Sequence, residues 1–555
     1  MNLPEPKNLP YKALLADIEK GLIKIPQFQR DYVWTKDRAA GLIDSILKGY
    51  PIGTFITWKT KEQLRVVKDL GGVELPPVPE GDFAEYVLDG QQRMTSLFCA
   101  LKGVTIQRGN KLDDFSAIYV DLNADEHEQI VVTDVSELEE GQYISLTDLI
   151  NAGFTVLAQY DATYHEKLEE YKQTIQGYNF SLIEVKEAPL DVATEIFTRI
   201  NVGGKPLTLF EIMVAKTFDA QAQFDLSERF EALVERLREV SYDTISDATV
   251  LQTVSLVMGK ECKRQNILRL EKERFIEEWP KVVEAIEAAV DYFRGYYRIP
   301  VSRLLPYNSL LAPFAYFFYH HKDKPLNKKQ KFLEDFFWRV SLSGRYSSSV
   351  EGKLAQDIKR IDQMLSEQQP GYDWTIDTSA KFIQDNGWFN AGRSYIKALL
   401  CIMAYQRPVS FIDGAIVHIS NDWLKRANSR NYHHYFPRAF LRKQGLDDSH
   451  SNHIANIAIV DDFLNKREIG AKAPSVYMDK FAGQNSELDA HMLTHLIELD
   501  GWGIWDNDYP QFLQKRCEKL SIEIQNRLLL REQDKNAQQS VNTEDIDELA
   551  QDADF

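Results

Sequence analysis

The sequence predicts an α+β protein of several domains, and three observations lead to that fold class. The chain has 555 residues, more than a single hydrophobic core usually holds, so two to four domains are expected. Short β-rich runs alternate with helical segments from residue 1 to about 220. A nearly unbroken helical pattern then covers 221–420, and a histidine-bearing segment with flanking helices follows at 421–531.

The first region is predicted to be mixed α/β because its apolar residues change between helical and alternating spacing. Apolar residues three and four positions apart predict a helix over 37–48, which Gly49 and Pro51 end. The other predicted elements of this region are strands at 52–58, 86–88, 117–122 and 182–185, and helices at 194–200 and 207–218.

The second region is helical in pattern and rich in aromatic residues, which predicts a bundle or connector rather than a catalytic unit. The helices predicted in and after it cover 224–240, 269–293, 328–341, 348–366, 487–499 and 509–531. The end of the chain differs, since 542–555 carries six acidic residues and no basic one. We therefore predict an acidic disordered tail over 532–555.

The composition indicates a packed globular protein outside the membrane. Apolar residues make up 44% of the chain and aromatic residues 11%. No apolar run reaches the roughly 18 residues that a bilayer-spanning helix needs. The first residues lack the basic and apolar regions of a secretory signal, so we expect a cytoplasmic protein with no membrane partner.

The four cysteines are scattered and contain no Cys-x-x-Cys pair. This spacing excludes a zinc ribbon and makes a disulfide framework improbable. Any metal is then expected to be a hard divalent ion, held by imidazole, amide and phosphate oxygen.

A formal net charge of −18 argues against nucleic-acid binding, which usually requires a basic surface. The charge is unevenly distributed, however. Residues 421–480 contain ten Lys or Arg against seven Asp or Glu, so the segment around the histidines is net positive. The acidic tail could shield such a surface until a partner displaces it.

Two polar clusters in the first region have the residue types that bind phosphate. Gly90 permits a tight turn, after which a helix would begin whose free N–H groups favour an anion. Arg30 and Arg93 could each hold a phosphate with two hydrogen bonds, and Asp89 could hold a metal or position a water. The residues alone leave a second interpretation open, a buried salt-bridge network that closes a turn. The clusters consist of Gln29 with Arg30, and of Asp89, Gly90, Gln91, Gln92 and Arg93.

Together with a third block at 197–211, the clusters at 25–34 and 89–93 resemble the N-terminal domain of GmrSD-type proteins of modification-dependent (type IV) restriction systems. The order and spacing of all three blocks match over roughly the first 220 residues. The resemblance implies a ParB-like domain that binds and hydrolyses a nucleoside triphosphate and senses modified DNA. Asp89 is then expected to be catalytic. The nucleotide-binding residues that the resemblance implies are Gln29, Arg30, Gly90, Gln91, Gln92, Arg93, Arg199 and Asn201.

In the third region, a paired histidine precedes an aromatic-proline step and two asparagines follow. A metal-dependent nuclease of the HNH (His-Me finger) type needs an imidazole that deprotonates water and one divalent ion at the leaving oxygen. We predict that His434 is the base and that Asn456 orients it. His433 and Asn465 are the predicted metal ligands of a ββα-metal unit. The histidine pair by itself leaves a surface or helix-cap role open.

The segment is similar to the HNH domain at the C-terminus of GmrSD-type proteins, although His433 stands where Asp is commonest. The expected ion is Mg²⁺, or a similar one such as Mn²⁺. Three cations, Lys466, Arg467 and Lys472, are predicted to bind DNA near the scissile phosphate.

These expectations combine into a modification-dependent DNA endonuclease of anti-phage defence, controlled by nucleotide. Its expected partners are modified phage DNA and a nucleoside triphosphate, and a homo-oligomer is left open. Two alternatives also fit the residues. One is a nucleotide-gated nuclease toxin that attacks host nucleic acid, and the other is a non-catalytic DNA-binding adaptor.

Overall fold

A computed structural model describes most of the chain, and its compact parts form two units, Met1–Leu226 and Ser227–Phe555. The predicted boundary near 420 does not divide these units, since the helical region and the histidine-bearing segment lie in the same one. The described residues are 4–26, 29, 32–62, 64, 69–70, 73–78, 81–108, 111–125, 127–200, 208–219, 221–421, 432–460 and 469–537.

The first unit is mixed α/β, as predicted. Its strands are β1 (Glu5–Pro10), β2 (Ile23–Lys24), β3 (Phe55–Thr60), β4 (Asp69–Leu70), β5 (Val73–Glu74), β6 (Ala84–Asp89), β7 (Thr105–Arg108), β8 (Lys111–Asp114), β9 (Tyr119–Asp121), β10 (Val131–Val132), β11 (Tyr143–Ser145) and β12 (Asn179–Lys186). Its helices are α1 (Tyr11–Glu19), α2 (Lys36–Leu47), α3 (Gln91–Lys102), α4 (Leu146–Asn151), α5 (Phe154–Leu157), α6 (His165–Gln176), α7 (Leu190–Ile200) and α8 (Leu209–Thr217).

The main sheet of this unit has the strand order β1-β12-β3-β6-β2. β12 runs parallel to β3, whereas β3 and β6 are antiparallel with an irregularity between Ile56 and Thr57. Buried aliphatic side chains of α1, α2 and α3 pack with this sheet in one hydrophobic core. Strand β6 lies inside the sheet, so its last residue, Asp89, is held at a defined position.

Strand β1 was not predicted, because its sequence contains Pro6 and Pro10. A proline cannot donate a backbone hydrogen bond, and proline in a strand is therefore tolerated mainly at a sheet edge. β1 is such an edge strand, pairing only with β12 in the main sheet.

The second unit is largely helical. Its helices, with the one that joins the units, are α9 (Leu226–Glu239), α10 (Asp247–Gly259), α11 (Arg264–Leu268), α12 (Lys272–Gly295), α13 (Leu311–His320), α14 (Asn327–Leu342), α15 (Val350–Leu365), α16 (Ala380–Asn386), α17 (Ser394–Tyr405), α18 (Arg438–Lys443), α19 (Asp448–Ser451), α20 (Pro474–Gln484), α21 (Leu488–Leu493), α22 (Tyr509–Gln525) and α23 (Glu532–Ala537). Two short strands are β13 (Tyr432–His434) and β14 (Ile457–Ile459).

Three predictions at the end of the chain require correction. The helix predicted over 509–531 ends at Gln525. The helix predicted over 487–499 ends at Leu493, and Leu496 has a φ of 57°, which a continuing helix does not allow. The acidic tail does not begin at residue 532, because α23 forms there and Asp534 is buried against Arg339. The remainder of the predicted tail lies outside the described residues.

The aromatic residues of the helical region form its core. Phe293, Tyr297, Phe314 and Phe337 are almost fully buried, and the rings of Tyr297 and Phe337 stack with centroids 4.1 Å apart. In the described part of the chain, no helix is both long and apolar enough to cross a membrane.

Candidate functional sites

A tight turn at Gly90 brings the residues of the predicted Asp89 cluster around one cavity in the first unit. Gly90 has a φ of 90°, in the left-handed region that favours glycine. A Cβ atom there would lie 2.5 Å from Cδ1 of Phe55, so a larger residue requires that ring to move. The turn places Asp89 at the end of β6 and starts α3 immediately after it.

The cavity has a volume of about 120 Å³. Pockets for whole small-molecule ligands usually measure roughly 300–1,000 Å³, so this cavity matches one group of a nucleotide rather than the entire molecule. It is lined by Gln29, Trp34, Asp89, Gly90, Gln91, Gln92 and Arg93. Six of these seven residues were predicted from the sequence, and the seventh, Trp34, is the last residue of the block at 25–34.

The glutamines of the cavity are held by backbone groups. Gln29 donates from Nε2 to the carbonyls of Val87 and Leu88, at 2.8 and 3.1 Å. Gln92 accepts at Oε1 from the backbone N–H of Val33 at 2.9 Å. These bonds join the first predicted cluster to β6 and α3, which are distant in sequence.

Arg93 braces the turn from within the protein. Its guanidinium donates to the carbonyl of Ile52 at 2.7 Å, to that of Thr54 at 3.1 Å and to Asp89 Oδ2 at 3.2 Å. A Cβ atom at Gly53 would lie 2.3 Å from this guanidinium, so glycine is required between the two carbonyls. Both interpretations of the cluster therefore stay open, since a network that closes the turn also lines the cavity.

The other predicted residues of the first unit are not assembled at this cavity. Arg199, at the end of α7, is not among the lining residues. Its side chain is 79% exposed and pairs with Glu195 at 2.7 Å. Arg30 and Asn201 lie outside the described residues.

The paired histidines lie on β13, which pairs with β14 in antiparallel register. His433 is opposite Ala458 and His434 is opposite Ile457. Successive residues of a strand point to opposite faces. Accordingly, His433 is only 1% exposed and packs edge-on against Tyr477, whereas His434 is half-buried.

Asn456 holds the chain that leaves the histidine strand. Its side chain is fully buried. Its Oδ1 accepts from the N–H of Phe436 at 2.8 Å, and its Nδ2 donates to the carbonyls of Phe436 at 3.0 Å and Ser451 at 2.9 Å. Asn456 thus holds the backbone two residues beyond His434, and its role in orienting the base stays a prediction.

Arg438 and Asn452 contact His434 directly, and neither was predicted from the sequence. Arg438 donates from Nε to Nε2 of His434 at 3.2 Å and from its terminal nitrogen to Oδ1 of Asn452 at 2.9 Å. Asn452 in turn donates to the carbonyl of Phe389 at 3.0 Å. The spacing of Arg438, four residues after His434 at the start of α18, was the only available sequence signal.

Two buried side chains, His453 and Arg516, form hydrogen bonds to the backbone next to Asn456. His453 accepts at Nδ1 from the N–H of Ala455 at 3.1 Å and faces the carbonyls of Ile383 and Gln384 at the end of α16. Burial lowers the pKa of His453, in accord with a neutral ring in this role. Arg516 is 1% exposed and donates to the carbonyl of Ala455 at 3.2 Å.

His495 is expected to make the second unit sensitive to acid. Burial lowers its pKa from 6.5 to about 4, and its Nε2 lies 2.7 Å from the carbonyl of Val409. Below pH 6.5 the imidazole of His495 takes up a proton in the unfolded chain but stays neutral in the folded protein until about pH 4. The contribution of His495 to the free energy of unfolding is therefore constant above about pH 6.5, and it falls by about 3 kcal/mol as the pH decreases to 4.

The measurement is urea unfolding of the full chain at several pH values between 4 and 7.5. A His495→Gln protein is the control, because glutamine can donate to the same carbonyl but does not titrate. The prediction is contradicted if the variant loses stability with acid as steeply as the natural sequence.

The metal site near the histidines stays a prediction. No group of three or more His, Cys, Asp or Glu side chains suited to an ion occurs in the described ranges. Of the two predicted ligands, His433 is buried on the face of the strand opposite His434, and Asn465 is outside the described residues. Magnesium usually keeps several waters and binds substrate phosphate, so a site for it needs few protein ligands.

Of the predicted DNA-binding residues, only Lys472 falls within the described chain. It is exposed, just before α20. Lys466 and Arg467 lie outside the described residues, as does the predicted third element of the ββα-metal unit. The contribution of all three to DNA binding stays a prediction.

Comparison with known proteins gives two findings. Residues 11–218 match the family described as GmrSD restriction endonuclease, N-terminal domain, which confirms the resemblance predicted for the first region. The chain is also 24% identical over 519 residues to an uncharacterized protein of Methanocaldococcus jannaschii, covering 84% of this chain and 85% of that protein. The HNH assignment of the C-terminal segment stays a prediction.

Proposed function

We propose that the protein is a modification-dependent DNA endonuclease of anti-phage defence. In this proposal the histidine-bearing segment cleaves DNA, and the N-terminal unit binds and hydrolyses a nucleoside triphosphate. The observation that carries it is the pairing of β13 with β14, which presents His434 on one face while buried Asn456 holds the backbone beyond it. The match of residues 11–218 to a restriction endonuclease family also supports a role in DNA cleavage.

His434 is the proposed general base. Its imidazole takes a proton from a water molecule whose oxygen attacks the phosphorus. A new P–O bond forms, the bond between phosphorus and the leaving oxygen breaks, and that oxygen receives a proton from solvent. The attack requires a fixed imidazole, and the three hydrogen bonds of Asn456 restrain the strand end that carries it.

His433 and Asn465 would hold the divalent ion. When bound, Mg²⁺ or a similar ion supplies positive charge that stabilises the leaving oxygen and a non-bridging oxygen. The DNA backbone is anionic, so exposed cations such as Lys472 would raise its affinity for this surface despite the net charge of the chain.

In the first unit, the cavity beside Asp89 is the proposed nucleotide-phosphate site. Asp89 is one-third exposed at the cavity, where a carboxylate can position water or hold an ion. The start of α3 adds backbone N–H groups that favour an anion. Arg93 stabilises the turn through its hydrogen bonds to Asp89 and to two backbone carbonyls.

The test compares modified and unmodified phage DNA, with and without each nucleotide and Mg²⁺. We expect metal-dependent cleavage of modified DNA that changes with nucleotide. Equal attack on unmodified DNA, with growth arrest of an unmodified host, would instead identify a toxin. No cleavage under any condition, with DNA binding retained, would identify an adaptor.

An Asp89→Asn protein tests the N-terminal assignment. We expect nucleotide hydrolysis to fall by about 100-fold, a typical loss when a catalytic carboxylate is removed. Asp82→Asn is the matched control, because Asp82 is an exposed carboxylate just before the same strand. Hydrolysis that is unchanged in Asp89→Asn would refute the assignment.

A further inference from the structure

Arg438 forms a hydrogen bond to the Nε2 nitrogen of His434 in the second unit. Arg438 is exposed at the start of α18, and its Nε lies 3.2 Å from His434 Nε2. An arginine Nε always carries hydrogen, so the imidazole nitrogen must present its lone pair to it. The nearby Oδ1 of Asn452, 3.4 Å from the same nitrogen, takes a shorter bond of 2.9 Å from Arg438. The lone pair that a base would use is thus bonded to a guanidinium.

A DNA phosphate would compete for this guanidinium. Arginine bonds two phosphate oxygens in parallel, and such charge-assisted pairs are stronger than a single bond to a neutral imidazole. Arg438 is exposed, so its side chain can reach solvent or substrate without unfolding any element. Arg442 follows one turn later on the same face of the helix and is also exposed, so a second cation lies on this surface.

We propose that Arg438 is a phosphate-binding residue that exchanges partners when DNA binds. Without DNA, its guanidinium holds the lone pair of His434 Nε2. With DNA, it moves onto a backbone phosphate beside the scissile bond and leaves that nitrogen able to accept a proton. The proposal rests on the assignment of His434 as the base. It adds that DNA binding itself switches the base on, which limits attack on other phosphate esters.

Asn452 keeps the side chain within reach of both positions. Its Oδ1 accepts from Arg438, and its Nδ2 is anchored to the carbonyl of Phe389 at 3.0 Å. The backbone is anchored as well, because the N–H of Phe389 donates to the carbonyl of Asn452 at 2.9 Å. Arg438 therefore turns about a fixed amide rather than leaving the site.

The first test measures DNA binding without metal, so that nothing is cut. For Arg438→Ala we expect affinity to fall and the slope of log affinity against log salt to decrease by about 0.9, the value for one phosphate contact. For His434→Ala we expect binding to become about 3-fold tighter, since DNA no longer competes with the imidazole for the guanidinium. In an Arg438→Ala background the same His434→Ala change should have no effect on affinity.

The second test measures single-turnover cleavage at saturating DNA. Arg438→Ala should lower the rate by about 10- to 100-fold, as expected for loss of a charged group at the reacting phosphate. Arg438→Lys should restore the salt slope but only part of the rate, because lysine cannot form the paired bonds. Lys443→Ala removes the same charge from the same helix and should keep the rate.

The two proposals fail in different ways. If His434→Ala still cuts DNA, the base assignment is wrong, whatever Arg438 does. If His434→Ala abolishes cutting but Arg438→Ala keeps the salt slope, or His434→Ala weakens binding, the exchange of partners is wrong. Unchanged thermal unfolding of each variant shows that the readout is local.

Discussion

A His434→Ala protein is expected to lose metal-dependent DNA cleavage by about 10²- to 10⁴-fold, the usual contribution of a general base. No other described side chain on β13 can replace it, because His433 points to the opposite face and is buried. DNA binding should persist, since His434 is assigned to proton transfer and not to holding the DNA backbone. The measurement is single-turnover cleavage of modified DNA with Mg²⁺.

His450→Ala is the matched control. His450 lies in the same segment, its ring is 51% exposed and pairs with Asp447, and it has no assigned part in the chemistry. Its rate should stay within about 2-fold of the natural sequence, as expected for an exposed residue outside the site. Cleavage by His434→Ala at a comparable rate would remove His434 as the base.

An Arg339→Ala protein is expected to lose about 3–5 kcal/mol of unfolding free energy, the cost of breaking a buried ion pair from one side. Arg339 is fully buried and donates to Asp335 Oδ1 at 3.0 Å and to both oxygens of Asp534, at 2.9 and 2.6 Å. Without the guanidinium, two carboxylates that are at most 2% exposed lose their main counter-charge. Helix α23 should detach first, because Asp534 is its buried contact.

Urea unfolding followed by tryptophan fluorescence measures this loss. Arg236→Ala is the control on the same unit, since Arg236 forms an exposed pair with Glu287 at 2.6 Å. Exposed pairs contribute about 0–1 kcal/mol, so this variant should unfold almost as the natural sequence does. Equal losses in the two variants would show that burial of the Arg339 network contributes little.

Helices and strands could be predicted from the sequence where one buried face sets the spacing of their apolar residues. The helix over 37–48 and strand 182–185 were located because their apolar residues repeat at 3.6 or 2.0 positions, and the structure has α2 and β12 there. Strand β1 was not predicted, because backbone pairing with β12 at the edge of the sheet stabilises it and its side chains show no strand pattern. The helix at 487–499 was overextended, since apolar spacing continues beyond the turn that ends α21.

The candidate site was only partly predictable for a related reason. His434 and Asn456 were identified because the chemistry requires those residue types, and the asparagine forms its bonds within the same short segment. Asn452 gains its anchor from Phe389, 63 positions away, which no local pattern reveals. Arg93 was predicted as a phosphate ligand from its residue type, but its hydrogen bonds to the carbonyls just before β3 depend on the fold and could not be predicted.

By itself, the sequence determined which side chains are available: the histidine pair, the buried asparagine and the Asp89 cluster. Residue type and local spacing carry that information because proton transfer and tight turns depend on short-range chemistry. Only the tertiary structure decided which partners these groups meet. It set Asn452 against Phe389 and Arg93 against two carbonyls. The first contact joins residues 63 positions apart and the bond of Arg93 to Ile52 spans 41 positions, so the packing of the folded chain, and not local pattern, selects them.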